Sequence, residues 1–94
     1  MTDAQTEVTS VEHGGALIEV HLSPPGEASL WINGLVRETG QSESVLRLTS
    51  TVQTDYEWHE FVEALVEFNA DNTQITITSN KVELIRDEKP GMKS

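Results

Sequence analysis

The stretch from Thr54 to Phe68, Thr-Asp-Tyr-Glu-Trp-His-Glu-Phe-Val-Glu-Ala-Leu-Val-Glu-Phe, carries the strongest periodic pattern in this chain of 94 residues and restricts its fold more than any other segment. Wound at about 100° per residue, Trp58, Phe61, Val62, Leu65 and Phe68 fall on one side and Glu57, Glu60, Glu63 and Glu67 gather on the other. Thr54 followed three residues later by Glu57 matches a capping box, in which each side chain satisfies an unpaired N–H of the first helical turn. The spacing predicts one amphipathic helix with an apolar face for a core and an acidic face for water or a cationic partner.

The segments around it read as strands. Leu17 to Leu22 alternates, with Ile18, Val20 and Leu22 on one side and Glu19 and His21 on the other. Ser23-Pro24-Pro25-Gly26 ends that run, because proline has no N–H for a ladder, and Pro25-Gly26 suits the centre of a type II turn. Ser29 to Val36 forms a second strand, in which Gly34 marks a bulge. Arg37 to Ser44 is polar and reads as a loop, and Val45 to Val52 is a third strand. After the helix, Asn69 to Asn72 makes an exit turn, and Gln74–Thr78 and Lys81–Arg86 pair as a closing hairpin. No internal repeat is evident in the residues.

The expected fold class is therefore α+β: an antiparallel sheet of about five strands in the order β-β-β-α-β-β, with the helix packed on one face. Residues 1–13 and 88–94 are polar enough to be disordered tails, which leaves residues 14–87 as a single domain. The core would join Ile18, Val20, Leu22, Leu30, Ile32, Leu46, Leu48, Val52, Ile75, Ile77, Val82 and Leu84 to the helix. The uncovered sheet face would carry Trp31, Leu35, Leu17, Val45 and Ile85 among Thr and charged residues.

Charge narrows the function. The net charge is −10, and residues 54–72 hold Asp55, Glu57, Glu60, Glu63, Glu67 and Asp71 with no Lys or Arg. Binding to a nucleic-acid backbone needs clustered cations to displace counterions, so direct nucleic-acid binding is not expected. There is no cysteine, which excludes thiolate metal sites, thiol catalysis and disulfide scaffolds. The start has no secretory signal pattern, and no apolar run reaches the 18 or more residues of a membrane span, so a soluble cytoplasmic protein with no membrane partner is expected.

No site chemistry stands out. His59 with Asp55 and Glu63 lies at helical spacing for a metal, but a solvated helix flank explains the same residues. Asn69-Ala70-Asp71-Asn72 begins like a calcium loop, yet Gln74 stands where the required glycine would be and Asn80 where the closing glutamate would be. An exposed run of Glu60, Glu63 and Glu67 lacks the cleft in which catalytic carboxylates acquire a shifted pKa. Trp58 is expected to pack in the core and Trp31 to lie at the core's margin or at an interface. The plan is similar to that of some bacterial immunity proteins and phage-encoded inhibitors, in layout and without a shared motif.

The reading is thus a non-enzymatic protein-binding module of inhibitor or immunity type, with no cofactor and no metal, that meets another protein, basic in charge. The candidate contact residues are Glu57, Glu60, Glu63 and Glu67 on the helix, and Trp31 and Leu35 on the uncovered sheet face. The alternative is an assembly subunit that homodimerises through that sheet face.

Overall fold

The protein is a computed structural model that describes residues 7–23, 26–53, 59–69 and 71–90. Among these residues there is no helix. Eight strands follow one another: β1 (Glu7–His13), β2 (Ala16–Ser23), β3 (Glu27–Ile32), β4 (Leu35–Gln41), β5 (Val45–Gln53), β6 (His59–Phe68), β7 (Asn72–Ser79) and β8 (Val82–Pro90). They form two antiparallel meanders, an N-terminal sheet in the order β1-β2-β3-β4 and a C-terminal sheet in the order β5-β6-β7-β8. The expected α+β class is overturned, and the domain bounds move with it: Glu7–His13 is a strand inside the expected N-terminal tail, and β8 runs on to Pro90.

The expected helix fails because its sequence satisfies two periods. His59 to Phe68 also alternates, and as β6 it turns Val62, Ala64 and Val66 inward, where each is fully buried. Phe61, a core position on a helix, is 46% exposed on the outer face. β6 is hydrogen-bonded along both edges, to β5 and to β7, so a ladder takes up the N–H and C=O groups that a helix would have paired internally. The capping-box residues Thr54 and Glu57, and with them Trp58, lie outside the described residues.

Two sheets back to back bury what one helix would have covered. Inward residues of the N-terminal sheet (Ala16, Ile18, Val20, Leu22, Ala28, Leu30, Ile32) and of the C-terminal sheet (Leu48, Val52, Val62, Ala64, Val66, Ile75, Ile77) make one continuous core. Val82, expected in that core, is 64% exposed. Side chains close the two open flanks. At one, the Thr49 N–H donates to Glu38 Oε1 at 2.7 Å and Arg37 Nη2 donates to the Thr51 carbonyl at 3.2 Å. At the other, Thr9 Oγ1 donates to Asp87 Oδ2 at 2.8 Å, and Lys89 Nζ stands 3.2 Å from the same carboxylate.

The two sheets are also built alike. β2-β3-β4 and β6-β7-β8 share a register: Ile18↔Ile32, Val20↔Leu30 and Leu22↔Ala28 in the first correspond to Val62↔Ser79, Ala64↔Ile77 and Val66↔Ile75 in the second. A bulge falls at Leu30/Trp31 in one and at Ile77/Thr78 in the other. The turn that follows is the same device. Asn33-Gly34 and Asn80-Lys81 both take positive φ at two successive residues, the geometry of the type I′ turns that suit the right-handed twist of paired strands. Each asparagine clasps the neighbouring strand through its backbone N–H and its side-chain oxygen: Asn33 holds Leu17 at 2.8 and 2.9 Å, and Asn80 holds Phe61 at 2.8 and 2.9 Å. The chain is therefore an internal repeat of structure, although few identities mark it, Asn33 with Asn80 and Glu19 with Glu63 among them.

One buried polar group stands out. Thr73 is fully buried, and its Oγ1 has no hydrogen-bond partner among the described residues. A buried unsatisfied hydroxyl costs about 1–3 kcal/mol, whereas valine has the same shape without it. Thr73→Val is expected to stabilise the fold by about 1 kcal/mol, a rise in melting temperature of roughly 4–8 °C for a domain of this size. A fall in melting temperature would mean that the hydroxyl is in fact satisfied.

Candidate partner-binding face

The expected acidic stripe does not exist as one surface. Strand alternation sends Glu60 inward and Glu63 and Glu67 outward, and Glu57 lies outside the described residues. Glu63 is ion-paired with Arg47 on β5, which cancels its charge locally. The outer face of the C-terminal sheet is mixed throughout, with a row Arg47, Leu65, Thr76, Arg86 running across all four strands, and Arg86 Nη2 paired to Glu83 at 3.0 Å.

Glu60 ties the two sheets together at one end of the sandwich. Its Oε1 accepts hydrogen bonds from Ser79 Oγ on β7 and, at 2.7 Å, from His13 Nε2 on β1. Serine, histidine and glutamate converge here, but not in the order nucleophilic catalysis needs. The carboxylate lies between the other two, the imidazole does not touch the hydroxyl, and Ser79 is buried. The Ser79 hydrogen bond, followed by that from His13, lowers the Glu60 pKa below its ordinary value of 4.5 against the opposing effect of desolvation. The Thr9 hydroxyl is the main cause of a similar lowering at Asp87 from 3.8.

A carboxyl whose pKa is lower folded than unfolded stabilises the fold above the unfolded value, and that contribution is lost as pH falls through the folded one. Stability is therefore expected to be level from neutrality to about pH 5 and to drop below about pH 4.5, as the two carboxylates that bridge the sheets protonate. Urea midpoints measured from pH 7 to pH 2.5 check this, and Glu60→Gln should flatten the slope. A midpoint independent of pH over that range would contradict the assignment.

The outer face of the N-terminal sheet is different in kind. One cross-strand row runs Ser10, Glu19, Trp31, Val36, and the next runs Val8, His21, Ser29, Thr39. The Trp31 and His21 rings stack with centroids 4.7 Å apart and planes 18° from parallel. Trp31 Nε1 donates to Ser29 Oγ at 2.8 Å, which fixes the indole in its plane, and His21 Nε2 lies 3.3 Å from Glu19 Oε1. A carboxylate can only accept, so that nitrogen carries the proton. Val36 beside the indole is 50% exposed, and Leu35, at the foot of the Asn33-Gly34 turn, is 65% exposed. Strand parity places Glu12, Glu19 and Glu27 on this face and no Lys or Arg among the described residues; Arg37, displaced at the bulge, turns its guanidinium to β5 instead.

Beside the aromatic pair lies an open groove of about 560 Å³ bordered by His21, Ser23, Glu27, Ser29, Thr39 and Gln41. Of the residues the sequence singled out, Trp31 alone lies on this face: Leu35 pairs with the inward Ile32 and so has the opposite parity, exposed only because it sits at the sheet's edge beside the turn, and Glu60, Glu63 and Glu67 belong to other parts of the molecule. His21, Val36 and Glu27 were missed. The usable signal was Asn33-Gly34, a strong hairpin dipeptide that would have folded Val36 back beside Trp31.

Among the described residues, no group of three or more His, Cys, Asp or Glu side chains is placed to hold a metal ion. Nor is there a helix long and apolar enough to cross a membrane. Comparison of the chain with protein-family models, curated proteins and solved structures gave no match to any of them.

Proposed function

We propose that this protein is a non-enzymatic binding module whose outer N-terminal sheet face docks a basic protein partner. The observation that carries this reading is the contrast between two sheets of like construction. At matching positions, the N-terminal sheet has Trp31, His21 and Val36 where the C-terminal sheet has Thr78, Leu65 and Glu83. A stacked, half-exposed indole braced by a serine, with the exposed Val36 beside it and a rim of carboxylates, has the composition of an interface anchor with its polar border. The uncompensated Glu12, Glu19 and Glu27 would speed encounter with a cationic surface. An inhibitor or immunity-type role fits such a module. The same charges oppose a homodimer built on this face, since two copies would bring like carboxylates together.

Affinity capture from the source cell with the wild-type chain and with Glu12→Lys/Glu19→Lys tests the proposal. The expected result is a basic protein that wild type retains at low salt, releases as salt rises, and that the double variant fails to hold. Retention by the variant, or an acidic partner, would count against the reading.

A further inference from the structure

The groove beside His21 and Trp31 is where the two sheets depart most from their shared plan. The cross-strand pair Ser29↔Thr39 at the groove corresponds to Thr76↔Arg86 on the C-terminal sheet. There the chain supplies its own guanidinium, Arg86, held by Glu83. At the groove the corresponding residue is Thr39, a short side chain, and Glu27 stands where the other sheet has the neutral Gln74. The groove border therefore combines one carboxylate, the Ser23, Ser29 and Thr39 hydroxyls and the Gln41 amide, all able to accept, with the edge of an aromatic stack and no cation.

We infer that this groove receives an arginine side chain presented by the partner, with Glu27 as the charge that meets the guanidinium and the His21 ring, backed by the Trp31 indole stacked on it, as one wall. The inference rests on the proposed docking face and names the chemistry that face selects. A guanidinium suits it because its fork donates to several acceptors at once, and its plane lies well against aromatic rings while losing little hydration. Lysine, a compact and strongly hydrated point charge, would gain less from the same surroundings.

The blocked tripeptide acetyl-Gly-Arg-Gly-amide, titrated into the isotope-labelled full chain and followed by amide and indole NMR shifts, tests this. Saturable shifts confined to Gly40, Gln41 and the Trp31 indole N–H are expected. The lysine analogue should bind more weakly, and the citrulline analogue, which has the same shape without the charge, should not bind. Glu27→Gln should weaken binding roughly two- to fivefold, as removal of an exposed pairing charge does. Thr39→Arg, which gives this sheet the residue that the other already has, should abolish binding while leaving the remaining spectrum folded. Shifts that fail to saturate, that are equal for the citrulline peptide, or that persist in Thr39→Arg would overturn the inference. If the peptide fails while Trp31→Ala still releases the captured partner, the groove is wrong and the face stands. If the peptide binds while Trp31→Ala leaves capture intact, the groove stands and the docking face is wrong.

Discussion

Val66→Asp is expected to unfold the protein, whereas Phe61→Asp, five residues earlier on the same strand, should leave it folded. Val66 is fully buried between the sheets and Phe61 is 46% exposed on the outer face. Aspartate at position 66 would forfeit the burial of a valine, about 1.5–3 kcal/mol, and would add the several kcal/mol of placing an unpaired carboxylate in an apolar core. A chain of this length has a total stability of roughly 5–14 kcal/mol at best, so most of it would be lost. At position 61 the new carboxylate is solvated, and the cost is the partial burial of one ring, about 1 kcal/mol. Urea titration followed by circular dichroism ranks the two. The helical arrangement of these residues predicts the reverse order, because it puts Phe61 in the core.

Trp31→Ala is expected to weaken partner association by about 2 kcal/mol or more, roughly 30-fold, the scale of an anchoring tryptophan at an interface centre. The loss should lie mostly in the dissociation rate, since the indole contributes contact and not charge. Reversal of Glu12 and Glu19 should act mainly on the association rate and its salt dependence. Thr78→Ala, at the matching position of the C-terminal sheet, serves as the control and should change neither rate. Surface plasmon resonance with the captured partner separates these effects. Equal losses for Trp31→Ala and Thr78→Ala would point to a general loosening of the fold and not to a binding face.

The sequence was legible wherever apolar and polar residues alternate without competition. β2, β5 and β7 lie where Leu17–Leu22, Val45–Val52 and Gln74–Thr78 place them, and Ile18, Val20, Leu22, Leu30, Ile32, Leu48, Val52, Ile75 and Ile77 are all buried. Two edge strands were not legible, for a physical reason. β4 is exposed along nearly all its length, so Arg-Glu-Thr-Gly-Gln has no buried side to produce alternation. β1 has an inward face of Thr9, Val11 and His13, in which only one residue is apolar. β6 was misread because Glu, Ala and Leu are good helix formers and their spacing fits either period; the decision came from a second sheet that needed a central strand, which is tertiary information. The error then carried into function, since it gathered onto one face glutamates that alternation separates. Trp31 and Leu35, expected on one face, are separated too: the turn at Asn33-Gly34 sets Val36 opposite Trp31 and Leu35 opposite the inward Ile32.

Amide hydrogen exchange of the full chain, alone and saturated with the captured basic partner, locates the contact face without any substitution. Slowed exchange confined to β2, β3 and β4 around Glu19, Trp31 and Val36 is the result expected from an aromatic and acidic docking face on the N-terminal sheet. Slowed exchange centred on Arg47, Leu65, Thr76 and Arg86, with Trp31 and its neighbours unchanged, would contradict it.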